Sequence, residues 1–214
     1  IRHGAARALS LRRSHVVGAI IPTVDNAARA RKVAALQKRC DALGYSLVVA
    51  LSEYSLDMEL RQVRSLVESG VDALMLEGGL HRPELFALLR DRGIPYVVTS
   101  VHVPDGPHPN IGFDNAAIAA RATCHLLDLG HRRIAVIAGV RAGNDRAAER
   151  VEGVRAALAA RGLALPAEWL VESRYRIADG RAAFRRLTAL DPRPTAIVCG
   201  NDVLAFGAIL EAAS

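Results

Sequence analysis

The sequence predicts an α/β fold with two Rossmann-like subdomains, each a parallel sheet flanked by helices. Four segments share one order, in which a helix end is followed by a glycine and an apolar strand: ALGYSLVV, ESGVDALML, DRGIPYVV and DLGHRRIAVI. Such a recurrence is typical of successive βα units in parallel sheets. A stretch with prolines at 104, 107 and 109 interrupts the series, because proline suits neither a helix interior nor a central strand. It therefore separates two predicted subdomains.

The first half of the chain alternates strands and helices. Continuous apolar runs predict buried parallel strands at residues 15–21, 47–50, 73–76 and 96–99. Helical patterns are predicted at residues 28–43, 56–69 and from 83 to 93. A glycine closes each helix, at positions 44, 70 and 93, where a left-handed residue is often needed.

Residues 110–139 form a central strand–helix–strand unit. Residues 110–113 are a short apolar strand, and Asp114 or Asn115 can cap the following helix because a short side chain accepts from the free N–H groups of the first turn. One apolar stripe at helical spacing is predicted to face the core: Ile118, Ala122, Leu126 and Leu129. A glycine and three basic residues mark the helix end: Gly130, His131, Arg132 and Arg133. Residues 134–138 are predicted to be a strand buried on both faces.

The last third continues the same alternation. The polar loop VRAGNDRA precedes a helix that runs to about residue 161, and a strand is predicted at residues 169–172. A helix at 179–190 and a strand at 195–199 follow. Asn201 and Asp202 then cap a helix that runs to the end of the sequence.

Bulk composition indicates a globular protein. The 214 residues can bury a large core, and the 51% hydrophobic content argues against disorder. No apolar run approaches the roughly 20 residues of a membrane helix, and the first residues, IRHGAARALSLRRS, lack the apolar centre of a secretory signal. We therefore expect a cytoplasmic protein with no membrane partner.

The net charge of +6 is carried almost entirely by arginine, which coding bias can explain, so local density matters more than the total. Four arginines precede the first strand: Arg2, Arg7, Arg12 and Arg13. The cysteines, Cys40, Cys124 and Cys199, are scattered in apolar patterns without metal-ligand spacing. They are expected to be buried, reduced thiols, and no metal is predicted.

The motifs of common enzymes are missing from the sequence. The first strand is not followed by GxGxxG, and neither GxxxxGK[ST] nor GxSxG occurs. Glu68, Asp72 and Glu77 have the spacing of ordinary solvated carboxylates, and the histidines of the proline loop, His102 and His108, have no implied partner. We expect no catalysis and no cofactor.

Polar residues after the predicted strands are the candidate ligand contacts, because open α/β sheets bind ligands outside the carboxyl ends of their strands. The candidates are residues 25–29, Ser100, Asp114 and Asn115, residues 144–150, and Asn201 and Asp202. They suit a small polar ligand such as a sugar. Asp114, Asn115, Asn201 and Asp202 can equally be helix caps alone.

The central segment, "DN" followed by HLLDLGHRRIAVIAG, resembles the LacI/GalR family of bacterial transcription regulators, and the resemblance extends over nearly the whole chain. It implies a type I periplasmic-binding-protein-like core that closes on a small effector. Residues 1–14 would be a hinge helix and a linker to an absent DNA-binding headpiece. Residues 15–113 would be the N-terminal subdomain, and residues 114–214 an incomplete C-terminal subdomain.

The segment AARALSLRRSHVVGAIIP resembles the hinge helix and first core strand of that family. The resemblance implies that residues 5–10 order on operator DNA, with Leu9 as a minor-groove wedge. Arg7, Arg12 and Arg13 would lie near phosphates. The alternative is that Leu9 packs on a short surface helix.

The resemblance also implies effector contacts. RVEGVRAAL matches the family's ligand-binding arginine at Arg150, with Arg146 one turn earlier, Tyr175 matches its stacking aromatic, and the GND in RPTAIVCGNDVLAFGAI places Asn201 and Asp202. After VDN, Ala27, Ala28 and Arg29 replace the usual proline and aromatic, which points towards an acidic ligand such as a sugar acid. The expected effector contacts are Arg29, Asp114, Asn144, Arg146, Arg150, Tyr175, Asn201 and Asp202.

The sequence is thus interpreted as the effector-binding and dimerisation core of a LacI-type regulator, in which a sugar or sugar acid controls the binding of a homodimer to operator DNA. The main alternative is a periplasmic sugar-binding protein of a transport system. The hinge-like ARALSLRRS and the missing secretory signal argue against it. A sugar-converting enzyme is a distant third.

Overall fold

The computed structural model describes residues 13–25 and 27–214. The predicted hinge residues Arg7, Leu9 and Arg12 therefore lie outside the described residues, as does Asn26. The chain divides into two compact units, Ile1–Gly112 and Phe113–Ser214.

Unit 1 is a five-stranded parallel sheet in the order β2-β1-β3-β4-β5. Its elements are β1 (Val16–Ile21), α1 (Ala27–Ala42), β2 (Ser46–Leu51), α2 (Leu56–Glu68), β3 (Ala73–Glu77), α3 (Pro83–Asp91), β4 (Tyr96–Thr99) and β5 (Asn110–Ile111). In the register, Val17 pairs with Leu47 on one side and with Ala73 on the other. The strand order changes direction at β1, between β2 and β3.

Local signals explain where the unit 1 helices end. Gly44, Gly70 and Gly93 follow α1, α2 and α3 with φ values of 75°, 82° and 64°, as predicted for left-handed helix termini. At the start of α2, the Ser55 hydroxyl accepts a hydrogen bond from the Met58 N–H, which satisfies one free donor of the first turn.

Both faces of the unit 1 sheet are covered. Ile20, Leu74 and Leu76 pack with residues of α2 and α3 on one face. On the other face, Ala19, Ile21 and Met75 pack with Val33 and Leu36 of α1. This two-sided burial explains the continuous apolar runs of β1 and β3. The prediction of a buried strand at residues 47–50 is wrong, because β2 lies at the edge of the sheet and is largely exposed.

Unit 2 contains a three-stranded parallel sheet in the order β7-β6-β8. Its elements are α4 (Asn115–Asp128), β6 (Ile134–Gly139), α5 (Asp145–Ala159), a 3₁₀ turn (Ala167–Trp169), β7 (Leu170–Ser173), α6 (Ile177–Thr188), β8 (Ala196–Cys199) and α7 (Asp202–Ala212). Every residue of β6 is buried, so the predicted central strand is confirmed. The helix pair α4 and α5 covers one face, and α6 and α7 cover the other.

The start and end of α4 carry the predicted caps. The Asp114 carboxylate accepts from the Ala117 N–H at 2.8 Å. At the other end, Gly130 has a φ of 93°, and the Arg132 guanidinium donates to the Leu127 carbonyl at 2.9 Å. Positive charge therefore lies at the negative end of the helix, as expected.

The predicted core stripe of α4 is wrong except at Leu126, which packs against the core. Ile118 and Leu129 are 46% and 64% exposed, and the buried residues are Asn115, Ala119, Thr123 and Leu127. The reason is a close crossing with α5, where a Cβ on Gly153 would come within 2.1 Å of the Ala116 carbonyl oxygen. A crossing this tight admits only small side chains near Gly153, so α4 turns Ala119 and Thr123 inwards and leaves Ile118 exposed.

Two predictions about single side chains are also corrected. Glu77, expected to be a solvated carboxylate, is buried, because two cations bind it there. Of the three cysteines, only Cys40 is buried, while Cys124 and Cys199 are partly exposed. Among the residues that the structure describes, no helix is long and apolar enough to cross a membrane.

Candidate functional site

The carboxyl edge of the unit 2 sheet collects polar side chains from several loops. In open parallel sheets, the point where the strand order reverses is the usual ligand position, and here β6 lies between β7 and β8. The loops after β6, β7 and β8 supply Asn144, Tyr175 and Asn201, and Arg150 comes from the second turn of α5. Four of the predicted contacts therefore lie at one edge.

Arg150 connects α5 to two other elements. Its Nε donates to the Asn115 Oδ1 at 3.1 Å, and its Nη1 donates to the Gly200 carbonyl at 2.7 Å. Asn115 is fully buried, so Arg150 leaves α5 in a fixed direction between the start of α4 and the end of β8. A guanidinium held in this way is pre-oriented for a ligand with oxygen acceptors.

Asn144 joins the loops after β6 and β7. Its side-chain amide donates to the Val140 carbonyl at 3.1 Å and to the Tyr175 hydroxyl at 3.2 Å. A Cβ on Gly139 would lie 2.1 Å from that hydroxyl, so the last residue of β6 must be glycine for Tyr175 to reach its position. The ring of Tyr175 is thus held at the carboxyl edge.

Three of the predicted contacts act as helix caps in this structure. Asp114 caps α4, and the Asn201 Oδ1 accepts from the Leu204 N–H at 3.0 Å at the start of α7. The Asn144 Oδ1 accepts from the Ala147 N–H at 3.4 Å at the start of α5. The capping alternative therefore holds for Asp114 and Asn201, whereas Asp202 is the first residue of α7 and accepts from the N–H of its neighbour Val203. Contact of these residues with an effector stays a prediction.

Arg146 and its neighbours form a charged group at the start of α5. Arg146 is buried and donates to the Asp145 carboxylate at 2.7 Å. Burial, together with the nearby charge of Asp145, raises the pKa of Glu149, while a hydrogen bond with Asn115 opposes the rise. Glu149 and Asn115 both belong to the segments that the sequence predicted as candidate ligand contacts, although the family resemblance assigned neither of them a role.

A cavity of about 310 Å³ opens beside these residues within unit 2. Arg150, Tyr175 and Asn201 contribute polar groups, and most of the remaining lining is aliphatic, including Val136 and Val198. Burial raises the pKa of Cys199, which also lines the cavity, to about 11. This thiol therefore stays protonated and behaves as an apolar surface.

The carboxyl edge of unit 1 contains a charged cluster around Glu77. Its carboxylate accepts from the Arg29 Nε at 2.8 Å and from the Lys32 ammonium, and Lys32 also donates to the Ser100 hydroxyl at 3.2 Å. Burial raises the pKa of Glu77, but the positive charges of Arg29 and Lys32 outweigh the rise and hold the pKa below its usual range. Two cations against one carboxylate leave the cluster with one net positive charge.

Backbone strain concentrates at the same edge of unit 1. Glu53 and Tyr54, after β2, have φ values of 51° and 62°, and Ser100, after β4, has 68°. Left-handed non-glycine residues often occur at functional positions. The Tyr54 ring lies 5.5 Å from the Arg29 guanidinium. The loop after β2 therefore supplies an aromatic ring near Arg29, although the residues that follow VDN in the sequence include no aromatic.

Sequence reasoning missed Lys32, Tyr54 and Glu77. Lys32 lies three residues after Arg29 in α1 and therefore on the same helix face, so its spacing could have indicated it. The burial of Glu77 and the position of Tyr54 depend on strand pairing and had no local signal. No group of three or more potential metal ligands occurs within residues 13–25 and 27–214.

The fold and these polar edges define a ligand-binding core of the periplasmic-binding-protein type. A family model described as periplasmic binding proteins and sugar binding domain of the LacI family matches residues 14–214. The chain belongs to this family, as its resemblance to LacI/GalR regulators predicted.

Named relatives are transcription regulators. The chain is 30% identical over 209 residues to the HTH-type transcriptional repressor PurR of Pectobacterium carotovorum subsp. carotovorum (strain PC1), covering 97% of this chain and 61% of the relative. It is 27% identical over 207 residues to catabolite control protein A of Priestia megaterium, covering 97% and 62%. The chain thus spans less than two thirds of the length of these relatives.

Solved structures agree with the fold. Transcription regulator GntR from Chromobacterium violaceum has a TM-score of 0.84 at 26% identity, covering 92% of this chain and 72% of that chain. A LacI family transcriptional regulator from Silicibacter pomeroyi has a TM-score of 0.81 at 25% identity, covering 92% and 74%.

Proposed function

We propose that this chain is the effector-binding core of a LacI-type transcriptional regulator in which a sugar or sugar acid controls binding to operator DNA. The observation that carries the proposal is Arg150, held by Asn115 and Gly200 beside a cavity that Tyr175 and Asn201 also line. The regulatory relatives support the same reading.

The effector class follows from the chemistry of the two edges. In unit 2, a guanidinium and a tyrosine ring match the hydroxyls and the apolar face of a sugar. In unit 1, the net positive charge of the Arg29, Lys32 and Glu77 cluster favours a ligand with an acidic group. We propose no enzymatic activity and no cofactor.

The proposed DNA contacts lie at the start of the chain. Arg13 is exposed, with Ser14 and His15 between it and the start of β1 at Val16, and Arg7, Leu9 and Arg12 precede it. Arginines at this density can position a chain on phosphates. We assign this segment to the hinge of a regulator that works in the cytoplasm, where operator DNA is.

A homodimer is part of the proposal, and the outer edge of the unit 1 sheet supports it. β2 is an edge strand with exposed Val48, Val49 and Leu51, and exposed Leu43 lies just before it. Exposed apolar edges of this kind mark association surfaces. The expected partner is a second copy of this chain.

The alternative is a periplasmic sugar-binding protein, because the matching family includes such proteins. It predicts effector binding without any DNA contact. Selection of a DNA duplex from a random pool by the full-length protein separates the two functions.

The effector site is tested by calorimetry after a thermal-shift screen of neutral sugars, sugar acids and sugar phosphates. Arg150→Ala removes a charge-assisted hydrogen bond of about 1.5–3 kcal/mol, so affinity should fall roughly ten- to a hundredfold. The matched control is Arg161→Ala, which removes an exposed arginine paired with Asp128. Equal affinity in parent and Arg150→Ala would place the effector elsewhere.

A further inference from the structure

The start of β1 is fixed by a carboxylate that comes from a distant part of unit 1. The Asp72 Oδ1 accepts from the Ser14 N–H at 2.9 Å and from the Ser14 hydroxyl at 3.1 Å. Its Oδ2 accepts from the His15 N–H at 3.0 Å. Burial raises the pKa of Asp72, but these hydrogen bonds outweigh the rise and hold the pKa below its usual range. The carboxylate is therefore charged at neutral pH.

The backbone at this junction is strained. His15 has a φ of 56°, a left-handed conformation that a non-glycine residue adopts only when its surroundings impose it. Besides the bond to Asp72, the His15 carbonyl accepts from the Ser46 N–H at 2.7 Å, and its ring lies 5.1 Å from that of Tyr45. The chain therefore turns sharply at His15, in one fixed direction.

The junction lies at the amino edge of the sheet, whereas the Arg29, Lys32 and Glu77 cluster lies at the carboxyl edge. β1 connects the two edges, and its Ala19, Ile20 and Ile21 are buried between neighbouring strands. The Asp72 N–H also donates to the Val16 carbonyl at 2.8 Å. A buried central strand moves as a rigid element, so the orientation of the junction follows that of the whole sheet.

Starting a parallel strand does not require such a junction. The ladder bonds of His15 and Val16 already fix β1 in the sheet. The three hydrogen bonds to Asp72 hold the residues that precede the strand, because they are donated by Ser14 and by the N–H of His15. They determine the path of the chain before the strand, where exposed Arg13 is the next residue.

We propose that Asp72 is a positioning residue that sets the direction in which the basic segment ending at Arg13 leaves unit 1, and so the fit of that segment to its DNA site. This inference rests on the proposed function as a DNA-binding regulator. Asp72 itself touches no DNA. It acts through the peptide groups of Ser14 and His15.

The test is Asp72→Asn in the full-length protein. The amide is isosteric with the carboxylate but has one oxygen and one NH₂ group, so in either orientation an N–H faces one of the two backbone N–H groups. The probes are a duplex that the parent protein selects from a random DNA pool and a scrambled duplex of the same length and composition. The measured quantity is the ratio of the two dissociation constants.

We expect the specificity ratio of Asp72→Asn to fall about tenfold, through weaker binding of the selected duplex. Electrostatics alone predicts tighter binding of the selected duplex, because losing a negative charge strengthens the attraction of the protein to phosphates. Asp57→Asn is the charge control, since Asp57 forms an exposed pair with Arg82 in the same unit. Ile134→Val, in the buried core of unit 2 and outside the cavity lining, is the stability control, because a smaller folded fraction weakens both duplexes alike.

Each outcome decides between two ideas. A lower ratio in Asp72→Asn, with parental ratios in both controls, supports positioning by Asp72. A parental ratio in Asp72→Asn, or an equal loss in Asp57→Asn or Ile134→Val, overturns it. If the parent selects no duplex at all, the proposed function fails and the inference with it.

Discussion

Gly153→Ala should destabilise unit 2, although the same change in most helix interiors is stabilising. Replacing a helical glycine by alanine ordinarily adds about 0.5–1 kcal/mol of stability. Here the new Cβ would lie 2.1 Å from the Ala116 carbonyl oxygen, and the contacting atom belongs to a helix backbone that cannot rotate away. The sign of the effect therefore tests the close crossing of α4 and α5.

The magnitude follows from the cost of overpacking. Forcing an extra methyl group into a packed contact costs about 1–3 kcal/mol, which exceeds the gain in helix propensity. For a chain of this size, the melting temperature should fall by roughly 2–4 °C per kcal/mol lost. The loss should be measured by urea unfolding of the full-length protein, followed by the fluorescence of Trp169, which is buried in unit 2.

Gly153 also affects the candidate site, because it lies one turn after Arg150 on α5. Moving α4 away from α5 lengthens the 3.1 Å bond between the Arg150 Nε and the Asn115 Oδ1. We therefore expect weaker effector binding as well as lower stability. Ile134→Val, in the same buried core but away from the cavity, removes core volume without pushing the helices apart and should lower stability while sparing affinity.

Glu152→Ala is the local control, since Glu152 is exposed on the same helix and forms a loose 3.8 Å ion pair with Arg155. Its stability should stay within about 0.5 kcal/mol of the parent. A Gly153→Ala variant as stable as Glu152→Ala, or more stable than the parent, would refute the packing argument.

Two further predictions concern single side chains. Arg29 and Lys32 hold the pKa of Glu77 below its unfolded value, so the native state binds fewer protons than the unfolded state. The stability that the charged Glu77 contributes is therefore fully present above about pH 4.3, and it is lost as the pH falls through the lower folded pKa. Glu77→Gln should flatten that acid limb in urea unfolding from pH 3 to pH 7 (roughly the carboxylate range), and an unchanged slope would contradict it. Tyr175→Phe loses only the bond from Asn144 and should weaken the effector less than Tyr175→Ala in calorimetry, whereas equal losses would show that the hydroxyl, not the ring, is the contact.

Local signals determined the order of elements in this protein. Glycines after α1, α2, α3 and α4 could be read directly, because a left-handed helix end depends only on residues next to it. The fully apolar run of β6 likewise predicted burial on both faces. The family resemblance, carried by contiguous motifs, was confirmed by the match over residues 14–214.

Candidate site residues were predictable only as far as they follow strands. Asn144, Arg150, Tyr175 and Asn201 do lie at one carboxyl edge of unit 2, because parallel strands bring their following loops together. The sequence named both Asp114 and its neighbour Asn115 as possible caps of α4 and did not distinguish between their roles. The structure gives Asp114 the cap of α4 and Asn115 the contact with Arg150.

Contacts between distant residues decided the rest. The buried face of α4 follows from the small residues of α5, which periodicity within α4 cannot report. Glu77 is buried because Arg29, 48 residues earlier, neutralises it, and Asp72 fixes Ser14 across 58 residues. A short stretch of sequence determines the conformational propensity of its own backbone, but it does not identify the side chains that folding brings against it. Helix ends and buried strands were therefore predictable, whereas ion pairs and the rotation of α4 were not.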